Sequence, residues 1–301
     1  MNHTLKYEFH TAEDLIRLTH KYKMPISEIA KRYESERDGK SSPTIRNKMK
    51  QTRNVMYEAV RKGIASTHKS KFGMAGGDAH KMYKIASNTS FMMGNKVTVR
   101  AMAYAMAVCE QNACMGRIAA FPTAGGAGVI PGVLFSCAEH FKAGKRKLLR
   151  GLFTAAAIGL VIAEKATLSA AKAGCQAEVG AASAMAAAGL TEMRGGTVEQ
   201  CFSAAAIAMK SYLGLACDPL GGLVEVPCIK RNAIGCMVSI GASDMVMAGI
   251  KSFVPFDEVL DAMKNIAHTM SARIRETALG GLAITKTGNM IKRKLGMKIT
   301  E

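Results

Sequence analysis

Apolar residues in this chain recur at helical spacing almost from its start. Leu15, Ile16 and Leu18 share one face of a 3.6-residue period, and Thr11 with Asp14 three positions later is a variant of the capping signature that opens such a helix. A second, short helix is predicted from about Pro25. Ser42 followed by Pro43 reads as the N-cap and first turn of a long basic helix reaching about Arg61. The stretch HKSKFGMAGGDAH, residues 68–80, reads as a loop, and beyond it the helical pattern continues in Ala, Met and Gly. Segments 97–115, 131–140, 144–172, 175–188, 197–213, 229–250 and 256–275 all carry it. Period-two runs of β-branched and aromatic residues are scarce, so no sizeable sheet is expected. The predicted fold is all-α: a multi-helix core packed through small residues, residues 73–301, with a basic helical region, residues 1–72, lying on it or continuous with it. No repeat of fixed period interrupts this reading.

Composition narrows the class. A chain of 301 residues that is 49% hydrophobic buries a substantial core and is not disordered. The most apolar run, GLFTAAAIGLVIA at residues 151–163, falls short of the ~20 residues a membrane span needs and reads as a buried helix. The first fifteen residues lack an apolar export region, which implies a cytoplasmic protein whose eight cysteines are reduced thiols or metal ligands. The net charge of +18 is concentrated early, with 20 Lys/Arg against 9 Asp/Glu in residues 1–100. Without tryptophan, aromatic interleaving or zinc-finger spacing, that charge argues against nucleic acid as partner and fits a solvated face, an acidic partner subunit or an anionic substrate.

Two stretches carry candidate chemistry. In GRIAAFPTAGGAGVIPGV, Gly125, Gly126 and Gly128 have the freedom to turn successive N–H groups toward a common point as an anion-binding nest, helped by the dipole of the helix that follows; a plain interhelical turn is the alternative. The spacing excludes a P-loop, and no strand precedes it as a dinucleotide turn requires. The cysteines divide by surroundings. Cys109, Cys114, Cys137, Cys201 and Cys236 lie in alanine-rich helical contexts as small packing residues. Cys175 follows Gly174, Cys217 precedes Asp-Pro, and Cys228 follows Pro227, with two of the three at predicted helix starts where a thiolate is favoured. Their C-x41-C-x10-C spacing alone does not establish a shared metal.

The segments PTAGGAGVIPGVL, GCQAEVGAASAMAAAGL, CDPLGGLVEVPCIKRNA and IRETALGGLAIT, in that order, resemble the catalytic α chain of the bacterial iron-sulfur L-serine dehydratases, or L-serine ammonia-lyases, from about Ser42 to Leu282. The resemblance implies a [4Fe-4S] cluster on Cys175, Cys217 and Cys228, leaving one iron open as a Lewis acid for eliminating water from L-serine to give pyruvate and ammonia. It also implies a separate β subunit and leaves room for a higher oligomer. Many relatives carry Ser-Ser where this chain has Gly126-Ala127, so hydroxyl contacts at that place are absent here.

Other roles stay open at this level. Thr123, Gly125 and Gly126 are candidates to grip the substrate carboxylate. Glu178, one helical turn beyond Cys175, is either the base or a solvated capping residue. Lys230, Arg231 and Asn232 follow Cys228 and either tune the cluster, bind substrate or solubilise a helix. His68 and His80 flank the glycine-bearing loop as candidate acid or base, and His140 and His268 sit in helices. A related lyase such as a cysteine desulfidase and a non-catalytic iron-sulfur sensor are competing readings. A pyridoxal-phosphate enzyme is disfavoured, because strand patterns and a Schiff-base lysine motif are missing.

Overall fold

The computed structural model describes residues 5–86, 88 and 92–297. Thirteen α-helices account for most of them, and the described residues contain no strand, only one isolated parallel bridge between Cys217 and Arg275. The helices are α1 (Ala12–Tyr22), α2 (Ile26–Arg37), α3 (Ser42–Ala65), α4 (Asp78–Ile85), α5 (Lys96–Ala113), α6 (Val129–His140) and α7 (Lys145–Lys165). They continue with α8 (Ala170–Ala173), α9 (Val179–Met193), α10 (Val198–Lys210), α11 (Cys228–Met247), α12 (Phe256–Thr269) and α13 (Lys286–Lys294).

The architecture is built around α9. Every one of its 15 residues is buried, and α6, α7, α10 and α11 pack around it. Its sequence VGAASAMAAAGLTEM explains why: alanine and glycine let neighbouring backbones approach closely, and burial on all sides leaves no room for a polar face. At the crossing with α7, Gly151 and Gly189 face each other so closely that a Cβ on either would press on the other's carbonyl oxygen. The apolar run predicted to be a buried helix is the body of α7. Among the described residues no single helix is long and apolar enough to cross a membrane. One apolar cluster joins Tyr7, Phe9 and residues of α1, α2 and α3 to the core helices as far as Ala267, while Ala75 and Ala79 belong to a second cluster with residues of α5 and α11.

Local signals held at several helix ends. Thr11 and Asp14 form a reciprocal capping box, Thr11 Oγ1 accepting from Asp14 N at 3.0 Å and Asp14 Oδ2 from Thr11 N at 3.2 Å. Elsewhere tertiary contacts shifted the boundaries. The N-cap of α3 is Ser41, one residue earlier than expected, and the helix continues to Ala65. The predicted helix 144–172 stops at Lys165 and resumes only as the single turn α8. Helix α9 starts at Val179 and not at 175, because Gly174 at φ +69 turns the chain into a short 3-10 segment first. Helix α4, within and beyond the predicted loop, has an N-terminus capped from a distance: buried Glu110 on α5 accepts from the N–H groups of Gly77 (3.0 Å), Asp78 (3.0 Å) and Ala79 (3.2 Å). Helix α13 lies beyond the last predicted helical segment, 256–275.

Candidate functional site

Cys175, Cys217 and Cys228 arrive from separate stretches of chain and meet beside the start of α9. The left-handed turn at Gly174 sets Cys175 at the head of the 3-10 turn leading into α9, its N–H donating to Leu215 O at 2.9 Å. Cys228 is the first residue of α11. Cys228 therefore sits at the positive end of α11, as the sequence suggested, whereas Cys175 lies in the 3-10 turn ahead of α9 and not at the start of that helix. Cys217 is held by backbone alone: its N–H donates to Ile274 O at 2.8 Å, and Glu276 N–H donates to Cys217 O at 2.9 Å. That pairing brings the segment IRETALGG to the thiols. Glu276 (φ +63) and Ala278 (φ +55) occupy the left-handed region there, a conformation disfavoured for side-chain-bearing residues and concentrated at functional sites.

The three thiols are only 2%, 3% and 6% exposed, and none is in a disulfide. Burial is the first force raising their pKa values, and at Cys217 and Cys228 the neighbouring thiols add to it. Cys217 feels Cys175 and Cys228, while Cys228 is pushed up to about 12 by burial, Cys175 and Glu178. Cys175 is raised by burial and drawn back by Arg231. Arg231 is the cation of the group. Its Nη1 donates to Ala216 O at 2.7 Å and its Nη2 to Asp218 Oδ1 at 3.1 Å, so it braces both neighbours of Cys217 from the first turn of α11. Buried Asp218 in turn accepts from Leu282 N–H at 2.8 Å through its other oxygen, fastening the GGLA turn.

Glu178 enters the same group. It is the N-cap residue of α9, yet its side chain makes no capping bond to that helix. The carboxylate lies instead against Gly125, where a Cβ would collide with it. Burial raises its pKa first, a hydrogen bond with Thr123 lowers it, the charge of Glu276 raises it, and the N–H of Gly125 lowers it. The glycine loop thus differs from the expected nest. Gly125, Gly126 and Gly128 are not in the positive-φ region, and their N–H groups have partners within the protein: Glu178, Thr123 Oγ1 at 3.3 Å and Asn232 Oδ1 at 3.1 Å. The anion in the loop is the protein's own carboxylate. What the glycines provide is close approach, Gly126 to the backbone of Glu178 and to Ala182, Gly128 to Ala105 and Cys109.

The remaining candidates fall in distinct places. Asn232 is fully buried, its Nδ2 donating to Gly125 O at 2.7 Å and to Cys228 O at 2.9 Å, so that it joins the glycine loop to the Cys228 turn. Lys230 points to the start of α4 and bonds Asp78 Oδ2 at 2.6 Å. His80 is tied through Nδ1 to Ile64 O at 2.9 Å. His68 is exposed in a surface hollow with Gln111 and Cys114, on a loop that docks on the cysteine loop through Ser70 Oγ, which donates to buried Glu225 at 2.5 Å. No sequence signal points to Asp218, Glu225 or Glu276; only their neighbourhood to Cys217, Cys228 and the IRETALGG motif marks them.

The donor set suits a polynuclear cluster. Three unpaired, buried thiols, neutral because burial raises their pKa values, could be drawn into the thiolate form by a cationic centre bound among them. Among the described residues no three His, Cys, Asp or Glu side chains are placed to chelate one metal ion. A four-iron cluster asks for wider spacing, since each thiolate binds a different iron.

Comparison with known proteins agrees with the motifs. The family described as "Serine dehydratase alpha chain" matches residues 21–283. The chain is 45% identical over 287 residues to the probable L-serine dehydratase, alpha chain, of Bacillus subtilis, covering 95% of each. It is 39% identical to the L-serine dehydratase, alpha chain, of Peptoniphilus asaccharolyticus, covering 94% of this chain and 97% of the relative. Against the L-serine dehydratase of Streptomyces coelicolor it is 39% identical, covering 93% of this chain but 62% of that longer relative. With the matched region spanning all three cysteines, the glycine loop and Glu178, the chain belongs to the serine dehydratase alpha-chain family.

Proposed function

We propose that the chain is the α subunit of an L-serine dehydratase that converts L-serine to pyruvate and ammonia, with Cys175, Cys217 and Cys228 holding a [4Fe-4S] cluster. The observation that carries this reading is the convergence of those thiols with a half-buried carboxylate, Glu178, lying against a glycine. When bound, the cluster supplies a Lewis-acidic iron that eases departure of the substrate hydroxyl.

The protein's own part is positioning and proton transfer. Glu178 takes the Cα proton of serine on its carboxylate, with burial raising its basicity. Thr123 and the N–H of Gly125 hold that carboxylate, and Asn232 holds Gly125. Arg231 braces the Cys217 loop through Ala216 and Asp218, on either side of that thiol. Loss of the Cα proton and the β-hydroxyl releases one water and 2-aminoacrylate. Tautomerisation and hydrolysis then yield pyruvate and ammonia without further help from the enzyme.

The alpha-chain names of the relatives and the longer length of the Streptomyces relative support a separate partner chain that supplies the remaining domain. Eight unpaired thiols fit a reducing cytoplasm. The test is anaerobic purification with and without a β chain, measuring iron, sulfide and pyruvate released from L-serine, with L-threonine and L-cysteine as competitors and Cys217→Ala beside the wild type. Iron, sulfide and serine turnover in the wild type, with all three lost in the variant, are expected. A cluster with turnover of cysteine alone would sink the substrate assignment, and a protein that binds no iron would sink the whole reading.

A further inference from the structure

Far from the thiols, a concavity of about 1020 Å³ opens between α2, α3 and the start of α7. Its walls carry Arg46, Lys50 and Arg53 from α3 and Lys145, Arg146 and Arg150 from α7. The α3 residues are spaced i, i+4, i+7, which sets all three on one face of that helix. Arg150 reaches buried Glu192 at 3.4 Å, and the wall's own carboxylate, Glu28, is engaged by Lys31 at 2.6 Å and Arg32 at 2.9 Å. Arg46, Lys50, Arg53, Lys145 and Arg146 have no carboxylate partner among the described residues.

A second feature points the same way. Helix α7 has 21 residues, no side-chain N-cap and no acidic residue in its first turn, which instead begins Lys-Arg-Lys. Cations at that end oppose the helix dipole and repel those across the cavity. Both penalties reverse when an anion occupies the space, where uncapped N–H groups and guanidinium forks meet it together. Beneath the charges, Leu149 and Phe153 form an apolar floor suited to a ring or other uncharged part of the ligand.

We propose that this concavity is a binding site for a small molecule bearing adjacent phosphates, of about nucleotide size. Typical small-molecule sites span roughly 300–1,000 Å³, so the volume fits. Charges on two walls of a hollow converge on a compact anion, whereas an acidic protein patch is better met by an open face. Glu192 lies in the last turn of α9, and α9 is about 22 Å long at ~1.5 Å per residue, so the site sits at the opposite end of that helix from Cys175. It is therefore independent of the catalytic reading.

The test titrates the full chain with inorganic triphosphate and with ATP by calorimetry at physiological ionic strength. It compares wild type with Lys50→Ala/Arg53→Ala/Arg146→Ala and with a control of equal charge change elsewhere, Lys21→Ala/Lys62→Ala/Lys251→Ala. Saturable one-to-one binding that weakens at least about tenfold in the cavity variant and stays unchanged in the control is expected. ATP binding tighter than triphosphate assigns the apolar floor to the base, and equal affinity assigns the site to the phosphates alone. Because the substituted residues are on the surface, circular dichroism should match wild type. Should the triple variant misfold, Arg146→Glu alone serves the same comparison. Non-saturating binding, equal weakening in variant and control, or loss of β-chain association in place of triphosphate binding would each overturn the proposal.

Discussion

The thiol cluster and the basic cavity each gather several groups of one chemical kind, and they do so by opposite constructions. The thiols are buried, placed by helix starts and backbone pairing, and each neighbouring polar group, Arg231, Asp218 and Asn232, is engaged in hydrogen bonds that run from one segment to the next. The cavity is made of solvent-facing side chains with little to hold them except their stems. Buried charge must be compensated within the fold, because an unpaired group there carries the full desolvation penalty, whereas exposed charge waits for its counterion in water. Substitutions should therefore have large effects at the first place and small ones on stability at the second.

The largest effect expected is on chemistry. Glu178→Gln keeps the size of the side chain and removes the proposed base, so kcat should fall roughly 100- to 10,000-fold while any iron bound stays at the wild-type level. Activity within a factor of two of wild type would remove Glu178 from the reaction. Asn232→Ala comes next. It leaves the Gly128 N–H without its acceptor and the Gly125 carbonyl without its donor, both in the interior. Unfolding by urea should show a loss of about 2–3 kcal/mol, together with a lower kcat as the glycine loop releases Glu178.

Lys230→Ala probes the rim of the thiol cluster. The hydrogen bond from Lys230 holds the Asp78 carboxyl below its ordinary value, so the pair stabilises the fold above the unfolded carboxylate's pKa and stops doing so as pH falls through the lower folded value. Lys230 is mostly solvent-facing, and the loss at neutral pH should be under about 1 kcal/mol, vanishing in acid, with KM for serine unchanged. A large rise in KM would make Lys230 a substrate ligand instead. The smallest effect belongs to the cavity: Arg53→Ala should change stability by less than about 0.5 kcal/mol, with the sign toward stabilisation as repulsion is relieved. A loss well beyond that in a thermal melt would mean the cavity's charges are structurally compensated.

How much of this was legible in the sequence depended on the range of the interaction. The Thr11–Asp14 box and the helix start at Cys228 are written within a few neighbouring residues, and they were readable. The cap on α4 comes from Glu110, more than thirty positions away, and nothing beside Asp78 announces it. The glycine loop failed as a nest for a related reason. Its run of glycines is equally compatible with backbone freedom and with close approach, and only the packing of Glu178 on Gly125 distinguishes them. Arg231 looked like one of three polar residues opening a helix, and its grip on both sides of Cys217 required the fold.

The pairing of Cys217 with residues 274–276 also has a meaning in time. Glu276, the last residue of the segment that pairs with Cys217, follows Cys217 itself by 59 residues (276 − 217). At the usual pace of ~5–20 residues per second, synthesis leaves the Cys217 loop open for about 3 to 12 s. During that interval the Cys217 segment lacks the backbone partners it has in the fold, so its exposure to oxidants belongs to synthesis before it belongs to the finished protein.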